Sequence, residues 1–447
     1  MQHSTEAPPP LTRQDIRTLF LASLGGALEF YDFIIFVFFA VTIARLFFPA
    51  DMPDWLQQLQ AFGIFAAGYL ARPLGGLVMA HFGDLFGRKR VFTFSVFLMA
   101  VPTLAMGLLP TYASIGVAAP ILLLTMRLLQ GAAIGGEAPG AWVFVAEHVP
   151  ARRVGIACGM LTGGLTGGIL LGSLMATGIN LAYTPAEVTE FAWRIPFVAG
   201  GIFGLVAMVL RRWLHETPVF EAMRRRAGPA REMPIKAVLR GQGRAVAISM
   251  LLTWMLTAAI VVVILMTPAL FQKMHGLAPA TTLSANVAAT FTLTIMAVAY
   301  GALMDRFGAL RTGIPGCLAL IAATYALYYG TEASPGSLLP LYALAGASAG
   351  VITVVPFVMV QAFPAETRFT GVSFSYNVAY AAFGGITPLL VSLLMATDRH
   401  AAAHYVAAVA VIGMGALAWN AARAAAAAAK APPAAMPSPG LPRPAAR

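Results

Sequence analysis

Twelve separate runs of mostly apolar residues divide this chain of 447 residues, each long enough to cross a bilayer as a helix. A hydrocarbon core about 30 Å thick takes about 20 apolar residues at the helical rise. The runs fall at about 19 to 46, 57 to 80, 91 to 109, 118 to 145, 154 to 181, 193 to 210, 245 to 271, 281 to 303, 313 to 330, 338 to 362, 370 to 396 and 402 to 422. Only 11% of the residues are charged against 59% hydrophobic, and mean hydropathy is +0.78. A soluble protein this long needs far more charge to cover its surface. The expectation is an all-α membrane protein. The net charge of +11 does not argue for nucleic acid, because no polar segment is long enough to fold into a basic face. Cys158 and Cys317 sit in apolar runs with no CxxC and no His or Asp neighbour, so they read as buried core residues, with no metal and no cofactor expected. The first run is about twice the length of a signal-peptide core and has no small-residue cleavage site, so it is expected to be retained.

Orientation follows from the basic residues, because basic loops are held on the cytoplasmic side. Of the 29 Lys and Arg, 23 fall at the N-terminus, the loops after even-numbered runs, the central loop and the tail. The opposite side has Arg45, Lys273 and Arg399, while Arg72, Arg127 and Arg194 lie in or at the ends of runs. Both termini are therefore expected in the cytoplasm. The expected organisation is a cytoplasmic N-terminal tail (1–18), a six-helix bundle (19–210), a basic linker (211–244), a second six-helix bundle (245–422) and a disordered Pro-rich tail (423–447). A repeat supports two related halves. "GDLFGRKR" and "MDRFGALR" share D-x-x-G-x-x-R, with Asp84, Gly87 and Arg90 recurring as Asp305, Gly308 and Arg311, each directly after a run. Parallel repeats of this kind put a substrate path between the halves near the midplane.

Of the 18 acidic residues, only Glu29, Asp32 and Glu137 lie deep in apolar runs. Each needs a partner, an aqueous cavity or a proton, since a charge at the centre of a membrane helix costs about 2.5 to 3.5 kcal/mol. Asp32 is about 13 residues, roughly 20 Å, into its run, and Arg127 is about 9 residues, roughly 14 Å, from the other end of the fourth run. The two can share one level. Glu29 lies on a similar helical face nearer the cytoplasm, and Glu137 about 15 Å below Arg127. These four are the candidate proton-coupling residues. A permanent ion pair tying helices together is the alternative for Asp32, and Arg127 reads either as a structural counter-ion or as a clamp for a substrate carboxylate. Arg127, Tyr31, Gln130, Trp254, Gln361, Tyr376, Asn377 and Tyr380 are the candidate substrate-binding groups, with interhelical hydrogen bonding as the alternative. The D-x-x-G-x-x-R loops read as a cytoplasmic gate: Gly83, Asp84, Gly87, Arg88, Lys89, Arg90, Glu147, Arg153, Asp305, Arg306, Gly308, Arg311 and Arg368. Asp84 can cap a helix N-terminus and Arg88 to Arg90 can pair with acids such as Glu147. The glycines of "GGLTGGILLG" suit close helix packing. No G-x-x-x-x-G-K-[ST] loop is present to cradle ATP, so energy comes from a gradient or a partner.

The motifs "LEFYDF" (28–33), "FFP" (47–49), "ARPLGG" (71–76), "GDLFGRKR" (83–90), "RLLQGAAIGGE" (127–137), "WRIPF" (193–197), "LHETPVF" (214–220) and "FPAETRFTGVSFSYNVAYAAFGGITP" (363–388) together resemble the major facilitator superfamily, and within it the metabolite:proton symporter group. The resemblance implies a twelve-helix fold of two pseudo-symmetric halves, no enzymatic activity, and inward, proton-coupled uptake of a small organic acid through the inner membrane, with the protein a monomer in the lipid bilayer. It also implies that Asp32 and Arg127 form the proton-coupling pair. The group includes transporters for citrate, 2-oxoglutarate, shikimate, dicarboxylates, proline and betaine. An osmoprotectant symporter is therefore the alternative, and a proton-driven exporter a further one. The second-half loop lacks the denser basic cluster usual in the family, and the tail lacks the heptads of osmosensing members.

Overall fold

Helix starts and stops follow the local chemistry of the sequence in the computed structural model, which describes residues 12–86, 88–210 and 234–430. Thr12 and Asp15 form a reciprocal capping box that starts α1 (Arg13–Phe38), so helix begins inside the stretch expected as a polar tail. Then come α2 (Ala40–Phe47), α3 (Asp54–Phe86), α4 (Arg88–Leu108), α5 (Tyr112–Ile115), α6 (Ala118–Ile134), α7 (Glu137–His148), α8 (Val154–Ala182), α9 (Pro185–Glu187) and α10 (Arg194–Leu210). After residue 233 follow α11 (Pro234–Gly241), α12 (Gly243–Thr257), a π-helical segment Ala258–Met266, α13 (Thr267–His275), α14 (Pro279–Phe307), α15 (Ala309–Ala333), α16 (Leu338–Ala349), α17 (Val354–Ala362), α18 (Arg368–Ala379), a second π-helical segment Tyr380–Gly384, α19 (Gly385–Leu394) and α20 (Ala401–Lys430). Among the described residues nine helices are long and apolar enough to cross a membrane, and two shorter apolar ones stand at Phe94–Leu108 and Arg194–Val206. The expected run 57–80 falls inside the 33 residues of α3. Helix α20 continues to Lys430, past the expected boundary at 422, because an alanine run has the highest helix propensity of any sequence.

In the first half α1 packs on α8 and α10, α3 on α6, and α4 on α10; in the second α14 packs on α16, and α15 and α12 on α20. The halves meet along α8 against α14 and α3 against α18. Arg194 donates to the carbonyls of Gly107 and Leu109 at 2.9 and 2.8 Å, satisfying the orphan acceptors at the end of α4.

The α3–α6 contact is among the tightest of the described residues. A Cβ built on Gly131 would fall 1.9 Å from the Gly68 carbonyl oxygen, one on Gly75 2.0 Å from that of Ala132, and one on Gly135 2.1 Å from that of Arg72. Backbone touches backbone, which only residues without a side chain permit.

The π-helical segment Ala258–Met266 has an equally local cause. Pro268 has no N–H and its ring crowds the carbonyl four residues earlier, so the helix widens ahead of it. Hydroxyls and an amide take the freed acceptors: Thr267 donates to Val262 O (2.9 Å), Tyr342 to Val263 O (2.7 Å) and Asn286 Nδ2 to Ile264 O (2.6 Å). Asn286 Oδ1 accepts from Ser173 of α8 at 2.9 Å, tying this widened helix to the other half.

Gly131→Ala is expected to force α3 and α6 apart and cost about 3 kcal/mol or more, read as a lower melting temperature of the purified protein. Gly63→Ala, where nothing lies within 4 Å of the new methyl, is the control and should melt as the wild type does.

Candidate functional site

The glycine seam between α3 and α6 brings two arginines, Arg127 and Arg72, to the ring of Phe33. Arg127, at 0% exposure, donates through Nη1 to the Phe33 carbonyl at 3.2 Å and to Gln130 Oε1 at 2.8 Å. Its guanidinium carbon lies over the rings of Phe33, Phe36 and Phe65, at 4.2, 4.7 and 5.0 Å from their centroids. Gln130 passes the contact on, its Nε2 donating to Thr103 Oγ1 at 2.6 Å.

Asp32 sits one residue from the carbonyl that Arg127 holds, so the two share a level, but they face different neighbours. The Asp32 carboxylate lies against α10, where a Cβ on Gly200 would be 2.5 Å from Oδ1 and one on Gly204 3.1 Å from Oδ2. The Thr103 methyl borders the same point, 3.0 Å from that Gly200 position. Thr103 stands between Asp32 and Gln130, its methyl bordering the pocket of Asp32 while its hydroxyl donates to Met99 O at 2.9 Å and accepts from Gln130. Glu137 begins α7 as its first residue and accepts from Ser95 Oγ at 3.1 Å, a layer further toward the end that carries the basic loops, here the basic end. A helix start suits a carboxylate there. The side chain of Glu29 lies outside the described residues.

A charge that sequence reasoning left without a role occupies the interface of the halves. Arg72 of α3 is 2% exposed. Its guanidinium carbon is 5.5 Å from the Phe33 ring, 5.4 Å from Tyr69, 5.8 Å from Tyr376 and 4.6 Å from Tyr380. The first two rings belong to the first half and the last two to the second. Arg72 lines a cavity of about 10 Å³ with Phe30, Phe33, Ile34, Tyr69, Ile134, Ile260 and Tyr380, room for about one water molecule. Among the described residues neither Arg72 nor Arg127 takes part in an ion pair. The signal for Arg72 was its place near the middle of an apolar run.

Of the other candidates, Tyr376 packs edge-on against Trp142 at 5.0 Å, and Asn377 Nδ2 donates to the Gly135 carbonyl across the interface. Tyr31 is turned into the first half, its hydroxyl donating to Pro196 O at 2.9 Å. Trp254 is turned into the second half, donating to Tyr405 at 2.9 Å and stacked on Phe383. Gln361 stands at the basic end, where it lines a separate cavity of about 550 Å³ with Arg311 and Asn420. Among the described residues no group of three metal-ligating side chains gathers.

The basic end of the interface is held by contacts between halves. Asp305 accepts from the backbone N–H of Gly155 at 2.6 Å and of Ile156 at 2.9 Å, capping the N-terminus of α8. Gly308 has φ +81°, a conformation that requires glycine. Arg368 pairs with Glu147 at 3.1 Å, so Glu147 meets an arginine of the second half. Arg153 and Arg306 lie beside these contacts, Arg306 over the Phe307 ring. Gly87 and the side chains of Gly83, Asp84, Arg88, Lys89 and Arg90 lie outside the described residues.

Relatives share this organisation. The chain is 30% identical to the proline/betaine transporter of Salmonella typhimurium over 88% of its length and 81% of the relative. It is 29% identical to the citrate-proton symporter of Klebsiella pneumoniae over 87% and 88% of the two chains. The solved structure of the proton:xylose symporter XylE matches its fold with a TM-score of 0.73 at 16% identity, covering 91% of this chain and 94% of that one. The pattern of the Major Facilitator Superfamily matches residues 22–388. With two halves meeting around a buried central cavity and a sequence match across most of its length, the chain is a multi-pass membrane transporter of the major facilitator superfamily.

Proposed function

We propose that the chain is a secondary active transporter that takes up a small organic acid together with protons across the inner membrane, by rocking of its two halves about the central cavity. The observation that carries this reading is the buried positive charge at the centre: two guanidiniums, neither in an ion pair among the described residues, beside a cavity lined from both halves. Against the one carboxylate buried at that level, Asp32, the two cations leave a positive excess, which costs several kcal/mol in a dry interior, and an anionic cargo offsets it. The citrate and proton named for one relative agree with it.

Asp32 is the proposed proton site. A carboxylate that is dry in one state and hydrated in another changes its proton affinity between them, and Asp32 lies next in the chain to Phe33, whose carbonyl Arg127 holds. Glu29 and Glu137 are supporting polar groups. The basic end faces the cytoplasm, and Asp305 with Gly155, and Arg368 with Glu147, form the inner gate. A second reading, uptake of a zwitterion such as proline or betaine, draws on the four aromatic faces around Arg72, since ring faces hold organic cations. Dependence of uptake on osmolality separates it from the first.

Asp32→Asn is expected to lower pH-gradient-driven accumulation in proteoliposomes at least about tenfold while retaining substrate exchange; full gradient-driven accumulation by the mutant rejects the assignment. Glu147→Gln is expected to loosen the inner gate. In a background lacking Cys158 and Cys317, a cysteine at Ile134 should then react with a maleimide from the basic end several-fold faster, by about the factor that losing a charge-assisted hydrogen bond implies.

A further inference from the structure

We infer that Arg72 is the residue that binds the carboxylate of the transported substrate, and that in the empty cavity the rings of Phe33, Tyr69, Tyr376 and Tyr380 hold its guanidinium in the substrate's place. The inference rests on the reading of the central cavity as the transport site and adds which residue grips the cargo. Arg127 was the sequence candidate for that role. It lies behind Phe33, turned to the Phe33 carbonyl and to Gln130, and it is not among the residues lining the cavity. Arg72 lines the cavity, is 2% exposed, and its Nε has no hydrogen-bond partner. A planar fork of five donors with an unmade bond, facing a cavity between two mobile halves, is suited to a bidentate carboxylate.

The ring contacts explain how binding and motion connect. Tyr376 lies beside Asn377, which bonds the Gly135 carbonyl across the interface, while Gly135 in turn touches the Arg72 carbonyl. When a carboxylate draws the guanidinium off Tyr376 and Tyr380, the second half loses its contact with that charge. The tyrosine faces then become available to the rest of the substrate. An apolar or cationic substituent next to the carboxylate fits such faces; a neutral molecule without a carboxylate leaves Arg72 on its rings and gains nothing from it.

The test measures binding without a proton gradient. Purified protein is screened by thermal shift and calorimetry against citrate, 2-oxoglutarate, shikimate, proline and glycine betaine, and against the carboxamide of whichever binds. The expectation is that at least one carboxylate binds the wild type and that its amide binds about a hundredfold more weakly or not at all. Arg72→Gln should lose about the same factor with its ligand-free melting temperature kept. If Arg72→Gln does not fold, Arg72→Lys serves: it keeps the charge without the fork and should bind about tenfold more weakly while still preferring acid to amide. Affinity within threefold of wild type in either variant, equal binding of acid and amide, or no binding of any of the five carboxylates by the wild type overturns the inference. Proton coupling is read separately, from uptake with and without a pH gradient. Binding that depends on Arg72 with uptake indifferent to the gradient leaves Arg72 as the clamp and removes the symport reading. Gradient-driven uptake that survives Arg72→Gln does the reverse.

Discussion

The backbone contact between α3 and α6 sets the position of the two arginines at the centre of this protein. Where Gly131 meets the Gly68 carbonyl and Gly135 meets that of Arg72, the two helices run close enough that Arg72 and Arg127 come to bear on one ring, that of Phe33. In lipid there is no hydrophobic drive to press helices together, so such close van der Waals contact is itself a main source of adhesion. A side chain at either glycine separates the helices and moves both arginines, and with them Gln130. The seam therefore acts as the frame on which the charged centre is hung.

The interface between the halves is held differently. Along α8 and α14 it combines glycine contacts, Gly155 and Gly159 against Gly301, with hydrogen bonds at intervals: Asp305 to the start of α8, Thr166 to Thr294, Ser173 to Asn286. Each of these bonds can be exchanged for one to water when an end opens, so separating the halves there costs little net hydrogen-bond energy. Backbone contact and polar bonds that water can replace thus share this interface, which suits the proposed rocking of the halves.

Much of this was legible in the sequence because it depends on position along a helix. Span order, the repeated Asp-Gly-Arg loops and the common level of Asp32 and Arg127 all follow from counting residues at 1.5 Å each, where an error of one residue is small. What was not legible depends on rotation about the helix axis, where one residue changes the direction of a side chain by about 100°. Asp32 faces the glycines of α10, and Tyr31 its neighbour turns its hydroxyl to Pro196. Arg72, which sequence reasoning passed over, faces the other half. In a soluble helix the apolar stripe reveals the facing; here lipid and core are both apolar, and the pattern that would show which way Arg72 or Gln361 points is absent. Glu147, near the end of α7, shows the same limit: the sequence suggested Arg88 to Arg90 as its partners, and the structure pairs it with Arg368.

The placement of the central charges also bears on why transport by such a site would be coupled. Take Arg127 as constant, held by the Phe33 carbonyl and Gln130 through the cycle. Its charge counts with those of Arg72 and Asp32, since all three are buried at the centre. With all three ionised and the cavity empty, two cations face one carboxylate and a positive excess remains. A substrate carboxylate on Arg72 offsets that excess, whereas a proton on Asp32 without the substrate increases it. An uncompensated charge in a closed, dry interior costs several kcal/mol, and every 1.4 kcal/mol is a factor of ten in population. Under the proposed reading a proton on Asp32 is therefore admitted to the closed state far more readily with the carboxylate bound than without it. Such coupling needs no direct contact between proton and substrate, only that the charge of one offsets that of the other.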